Sequence, residues 1–186
     1  MNRRDMLKYA ALLTGSAVSG SFASAFLSGC SRPGAVDSEL HFFDAHQFKL
    51  VAQLADTILP RTDSPSATDV GVHQTIDTMI GLVFDNDFKN EFRTGWTDLE
   101  IYLSGHNFDN LDQPERVELL RGLELGRNSE TENAREAYVE LKQQVIAYYL
   151  TTEEIGREHL NYLPVPIHYD PCISVDDVDN RAWAIR

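Results

Sequence analysis

The 186-residue sequence predicts an all-α protein, a single compact helical domain of five to six helices that runs out into an extended C-terminal tail. Three observations predict it. Between Phe42 and Leu160, apolar residues recur at spacings of three and four, window after window. No stretch alternates apolar and polar residues over a convincing strand length. After Leu160 the periodicity stops, and Pro164, Pro166 and Pro171 with interspersed aromatics take over.

The chain begins with Asn2-Arg-Arg-Asp-Met-Leu-Lys8, followed by a small-residue apolar run from Tyr9 to Phe26 and then Leu27-Ser-Gly-Cys30. A basic head, an apolar middle and a small-residue exit make a signal peptide, not part of the fold. Arg3-Arg4 with Leu7 and Lys8 resembles a twin-arginine export signal, with Met6 in place of the more usual Phe. Leu27-Ser28-Gly29-Cys30 resembles a bacterial lipobox, which would make Cys30 the lipidated first residue of the mature chain. The competing reading is an uncleaved membrane anchor, but the run is marginal in length and weakly apolar for a span. Acylation would supply about 0.8 kcal/mol of membrane affinity per buried CH2. The expectation is an exported protein on the periplasmic side, lipid-anchored to a membrane. The twin-arginine route exports folded proteins, so it suits a chain that leaves the cytoplasm already bound to a partner.

The organisation that follows is a signal over residues 1–29, a tether over 30–41, a helical domain over 42–160 and a tail over 161–186. The tether contains Pro33-Gly34 and small polar residues, and nothing in it can build a core. The first helix carries Phe43, Phe48, Val51, Leu54, Ala55 and Ile58 on one stripe, with Asp44 as cap, and should end at Leu59 before Pro60. Ser64-Pro65 sets a turn, and Thr68 or Asp69 is the expected cap of the next helix. That helix runs from about His73 to Phe84, with Ile76, Met79, Ile80 and Val83 inward. Asp85-Asn86-Asp87 caps a third, in which Phe88, Phe92, Trp96, Leu99 and Leu103 form a buried face. After a turn-rich loop over 105–110, Asp112 caps a fourth with Val117, Leu119, Leu120 and Leu123 as its apolar positions. A longer helix from about Glu130 to Leu150 carries Ala134, Ala137, Tyr138, Leu141, Val145 and Tyr148 or Tyr149, and Thr151 or Thr152 caps a short one to about Leu160.

Charge narrows the partners. The chain carries a net −13; residues 1–29 contribute +2, from Arg3, Arg4 and Lys8 against Asp5, so the remainder carries −15. Such a surface argues against nucleic acid and against docking on anionic lipid by charge. With Cys30 given to lipid, Cys172 has no partner in the chain; the expected state is a buried thiol, the alternative a bond to another chain.

The chemistry-bearing residues form no motif. No two glycines fall two apart, so there is no Gly-x-Gly-x-x-Gly fingerprint; with two cysteines there is no haem or iron–sulfur ligand set. His41, Asp44 and His46 come nearest to metal-ligand spacing but read better as a solvated helix start. Asp85-Asn86-Asp87 and Asp176-Asp177-Val178-Asp179 begin like calcium loops but lack the glycine and closing glutamate, and read as caps and an acidic turn. Glu153-Glu154 with Glu158-His159 is charge bias in a short helix rather than an acid–base pair. The expectation is no catalytic, cofactor-binding or metal-ligating residue in this chain.

One stretch is more specific. Ala55-Asp56-Thr57-Ile58-Leu59-Pro60, Ser64-Pro65, Ala67 and Gly71-Val72 resemble the signature of the gluconate 2-dehydrogenase subunit 3 family, with Ser66 where that family usually has glycine. The tail is similar too, through Tyr162, Pro164, Pro166, Tyr169, Pro171, Cys172, Ile173 and Arg181-Ala182-Trp183, with Ile167 where glycine is often seen. The resemblance implies a non-catalytic small subunit of a membrane-associated FAD-dependent dehydrogenase of the glucose–methanol–choline type, acting on a sugar, sugar acid or glycoside. FAD would sit in the large partner subunit, and electrons would leave through a cytochrome c subunit or domain. The small subunit would stabilise the flavin subunit and accompany it, chaperone-like, through the twin-arginine translocase. The expected partner surface is the loop with Pro60 and Pro65 together with the tail residues Tyr162, Tyr169, Pro171, Cys172 and Trp183. The rival readings are a stand-alone binding lipoprotein for a sugar or metal ion, and a cryptic hydrolase built from scattered His and Glu residues.

Overall fold

A computed structural model describes residues 39–162 and 172–184. Arg3, Arg4, Cys30, Pro164, Pro166, Tyr169 and Pro171 lie outside the described residues. From Leu40 onward the chain forms one compact unit. Its five α-helices are α1 (Ala45–Ile58), α2 (Val72–Thr78), α3 (Asn86–Gly105), α4 (Gln113–Leu125) and α5 (Glu132–Thr151). The all-α expectation holds: among the described residues the β pairing is one isolated bridge, Asn161 to Trp183. No helix among them is long and apolar enough to cross a membrane.

Aspartates open three helices. Asp44, Asp85 and Asp112 each accept the backbone N–H three residues on, at 2.8 to 3.0 Å. Gln47 and Glu115 return bonds to the N–H of Asp44 and Asp112, completing capping boxes worth about 1 kcal/mol each. The threonine caps do not form. The start of α2 is Gly71, in a left-handed conformation (φ 75°), with no side-chain cap. Asp69 accepts from Ser66 within the loop instead, and the Thr68 hydroxyl donates back to Asp56 of α1. Thr151 and Thr152 donate backwards to the carbonyls of Tyr148 and Tyr149, so they close α5 rather than open the next turn.

Helix α5 is the centre, touching each of the other four. Ala134, Ala137, Tyr138, Leu141, Val145 and Tyr149 recur along it at three- and four-residue spacings and are buried. They meet Val51, Leu54 and Ala55 of α1, Val72 and Ile76 of α2, Trp96 and Leu99 of α3, and Leu120 and Leu123 of α4 in one core. Each of the valine, leucine and isoleucine side chains among them contributes about 1.5–3 kcal/mol by leaving water. Two expected core positions are exposed instead. The turn after α2, Met79–Val83, is a π turn in which the Phe84 N–H reaches back to Met79, so the register slips and Val83 is exposed. Val117 sits beside the Leu120–Leu123 stripe of α4, not on it, and is exposed too.

The segment leading into α1 is pinned rather than merely tethered. Asp77, 3% exposed, accepts the N–H groups of His41, Phe42 and Phe43 at 2.8, 3.0 and 2.9 Å. Gly81 lets this strap lie flat, since a Cβ there would fall 2.4 Å from His41 Cβ. Phe43 then packs on Trp96, with Phe42 edge-on to it and to Phe92.

Candidate partner surface

The loop between α1 and α2 follows from where α1 must stop. Pro60 cannot continue a helix, and the Leu59 N–H makes the last α1 bond, to Ala55 at 2.9 Å. The chain then doubles back, with the Ala67 N–H on the Leu59 carbonyl and the Val72 N–H on the Ala67 carbonyl, both at 3.0 Å. Asp56 latches the return: its carboxylate accepts the Thr68 N–H at 2.9 Å and the Thr68 hydroxyl at 2.6 Å. Asp69 does the same for Ser66, at 2.8 and 2.9 Å, while Arg61 pairs with its other oxygen. These bonds hold the Asp69 carboxyl below its ordinary value, the Ser66 backbone N–H contributing most. The Ser66 backbone keeps a negative φ, so serine is at ease where the family has glycine, and its hydroxyl adds a bond.

Two longer-range contacts seat the loop. The Tyr149 hydroxyl donates to the Pro65 carbonyl at 2.7 Å and lies 3.0 Å from Ser64 Oγ. Gln113 Nε2 donates to the Asp56 and Thr57 carbonyls, the open end of α1. His73 packs against Phe48 in a tilted arrangement at 5.0 Å with its Nδ1 buried and unbonded among the described residues, and burial pushes its imidazole below the ordinary value against the opposing charge of Asp56.

The loop is therefore two halves. Pro60, Arg61, Thr62 and Asp63 are exposed, whereas Ser66 and Ala67 are buried and Pro65 is half-buried under Tyr149. Of the two prolines expected on the partner surface, Pro60 is exposed and Pro65 is half-buried, its carbonyl held by Tyr149.

The tail starts where α5 and its following π turn, Ile155–His159, end. Asn161 clasps it. Its backbone exchanges bonds with Ala182 and Ala184 at 2.8 and 2.9 Å, and its side-chain amide donates to the carbonyls of Val178 and Arg181 at 3.0 and 2.8 Å. Arg181 in turn donates to the Glu158 carbonyl at 3.2 Å. Asp179 and Asn180, at φ 52° and 56°, make the tight reversal that allows this. The described tail thus folds back on its own origin. It leaves Tyr162 54%, Ile173 41%, Val175 61% and Trp183 50% exposed. Cys172, expected buried, is exposed, because the residues from Cys172 to Asp177 lie outside the core.

Among the described residues no group of three or more His, Cys, Asp or Glu side chains could hold a metal ion. His46 faces Glu100 at 3.7 Å, and Asp44 and Asp85 are occupied as caps. Tyr149, near the carboxyl end of α5, seats the loop, and Asn161, after the π turn, seats the tail.

A family model described as Gluconate 2-dehydrogenase subunit 3 matches residues 45–167, from the start of α1 past the π turn. The chain belongs to this family. It is thereby a member of a family of dehydrogenase accessory subunits. No curated protein and no solved structure matches it. The gluconate 2-dehydrogenase subunit 3 match takes in Asp56, Pro60, Pro65, Gly71 and Tyr149, whose contacts form the loop, and ends at Ile167. Cys172 and the Arg181-Ala182-Trp183 end lie beyond it.

Proposed function

We propose that this chain is the non-catalytic small subunit of a periplasmic, membrane-associated FAD-dependent dehydrogenase of the glucose–methanol–choline type. The partner oxidises a sugar, sugar acid or glycoside and holds the FAD; a cytochrome c subunit or domain takes its electrons. The small subunit stabilises the flavin subunit and accompanies it through the twin-arginine translocase, which reads Arg3 and Arg4. Lipid on Cys30 then tethers the complex. Family membership over residues 45–167 is the observation that carries this reading. The exposed apolar side chains of the tail, Tyr162, Ile173, Val175 and Trp183, support it, since apolar groups left outside the core are available to a protein interface.

The test is capture of the tagged chain from native membranes with an absorbance spectrum of the eluate. Flavin bands and a large co-purifying chain are expected, with sugar-dependent dye reduction. A colourless single chain would overturn the reading and favour a stand-alone binding lipoprotein. Mass spectrometry of the mature N-terminus reads the lipid directly: an acylated Cys30 is expected, and an unmodified one removes the tether.

A further inference from the structure

A second surface lies away from the loop and the tail, between α3 and α5. Gly95 is where the two helices meet without a side chain between them: a Cβ there would fall 3.0 Å from Ala137 Cβ and 3.1 Å from the Asn133 carbonyl. With glycine facing alanine, the space above the crossing is empty, and a half-open cleft of about 510 Å³ runs along both helices. Its floor is apolar and stiff. Phe88 and Phe92 line it and stack at an interplanar angle of 18°, and Phe92 in turn stacks at 20° on Trp96, which is buried behind the cleft. Its rim is acidic, with Glu91 from α3 and Glu136 and Glu140 from α5.

The rim charge is only partly offset by the neighbouring cations. Lys89 is bonded to the Gly81 carbonyl, and Arg93 sits over the Phe42 ring. Arg135 pairs closely with Glu132 and reaches Glu136 only at 3.9 Å. Gln144, buried beneath, donates to Glu140 at 3.0 Å and fixes that carboxylate at the rim. An apolar slot ringed by three carboxylates repels a second copy of this acidic chain, and it complements a segment that carries a large apolar side chain flanked by lysine or arginine.

We propose that this cleft receives such a basic-flanked apolar segment of the flavin-bearing partner subunit. The inference rests on the accessory-subunit reading for the identity of the partner, and it adds a contact separate from the loop and tail. Full-length tagged chain carrying a photo-crosslinking residue at Thr94, on the cleft wall, is irradiated in native membranes and the crosslinked peptide sequenced. The expected product joins this chain to a peptide of the flavin chain with an apolar residue beside Lys or Arg. The double variant Glu91→Lys, Glu136→Lys, both at exposed positions, should retain roughly tenfold less flavin chain at low salt with an unchanged melting temperature. In wild type, retention should weaken as salt rises, since the screening length shrinks from about 10 Å at 0.1 M to about 3 Å at 1 M. Flavin captured normally by the double variant, or a crosslink to another copy of this chain, overturns the cleft while leaving the accessory-subunit reading standing. Wild-type chain that captures no flavin overturns both.

Discussion

The helical body is flanked by two non-helical segments, and each is held by one side chain that satisfies several backbone groups. Before α1, the Asp77 carboxylate takes three N–H groups of His41 to Phe43. After α5, the Asn161 amide gives two N–H bonds to carbonyls of the returning tail. The chemistry is mirror-like but the burial is not. Asp77 is almost sealed from water beneath Phe43, while Asn161 sits at the rim beside a half-exposed Trp183. A lost bond in the first case has no substitute; in the second, water supplies one. The leading strap is therefore part of the fold, and the trailing clasp sets the shape of a surface.

The largest effect that would test this contrast is at Asp77. Asp77→Leu takes the acceptor from three N–H groups, the one on Phe43 buried and those on His41 and Phe42 partly so, and removes charge-assisted bonds, a loss of about 4 kcal/mol. That should lower the melting temperature by about 10 °C for a domain of this size. A variant melting within a degree or two of wild type would mean that the strap is held by Phe42 and Phe43 alone, and that the two ends are alike.

The loop latch stands between the extremes, because Asp56 and Thr68 are each only partly buried. Thr68→Val keeps the backbone bond and deletes the 2.6 Å hydroxyl bond, so about 1–1.5 kcal/mol should go. Calorimetry would place it between the strap and the clasp, and a loss equal to that of Asp77→Leu would break the ordering by burial. A smaller effect depends on pH. The folded state holds His73 below its ordinary value near 6.5, so the unfolded chain binds the proton more readily. Stability is intact above that value and falls as pH drops through it toward the folded pKa. Melting scans from pH 8 to 5 should show this decline, and His73→Gln should flatten it; equal slopes would place the acid sensitivity elsewhere.

The fold was legible because its starts and faces are written locally. Asp44, Asp85 and Asp112 each precede an apolar periodicity and cap where expected. The misses come from features that local spacing does not carry. Val83 is displaced by a π turn, which a 3.6-residue period cannot anticipate. Thr68 looks like a cap, yet its hydroxyl goes to Asp56, twelve residues back. Asp77 offered a signal that could have been used: a carboxylate between Ile76 and Ile80 on the inward face must find donors, and the nearby helix-free residues were the candidates. Tyr149 and Asn161 gave none, since their partners lie 84 and about twenty residues away. The loop and tail were recognisable as a pattern, but the division of the loop into a packed half and an exposed half is decided by Tyr149 and Gln113.

The clasp is the smallest effect on stability and the most informative on function. Asn161→Ala deletes two amide bonds, one exposed and one part-buried, and leaves the backbone pairing with Ala182 and Ala184 in place. Its cost to the body should stay under about 0.5 kcal/mol, since water replaces both bonds. What changes is how Tyr162 and Trp183 are presented: without the amide, the reversal at Asp179–Asn180 loses its anchor. Retention of the flavin chain should therefore fall while the melting temperature holds, and Trp183→Ala should do the same by removing an apolar anchor directly. If both variants melt normally and hold the flavin chain as wild type does, the tail is surface without a partner. Its exposed apolar residues would then need another occupant. If Asn161→Ala instead melts as low as Asp77→Leu, the clasp is structural after all, and burial is not what separates the two ends.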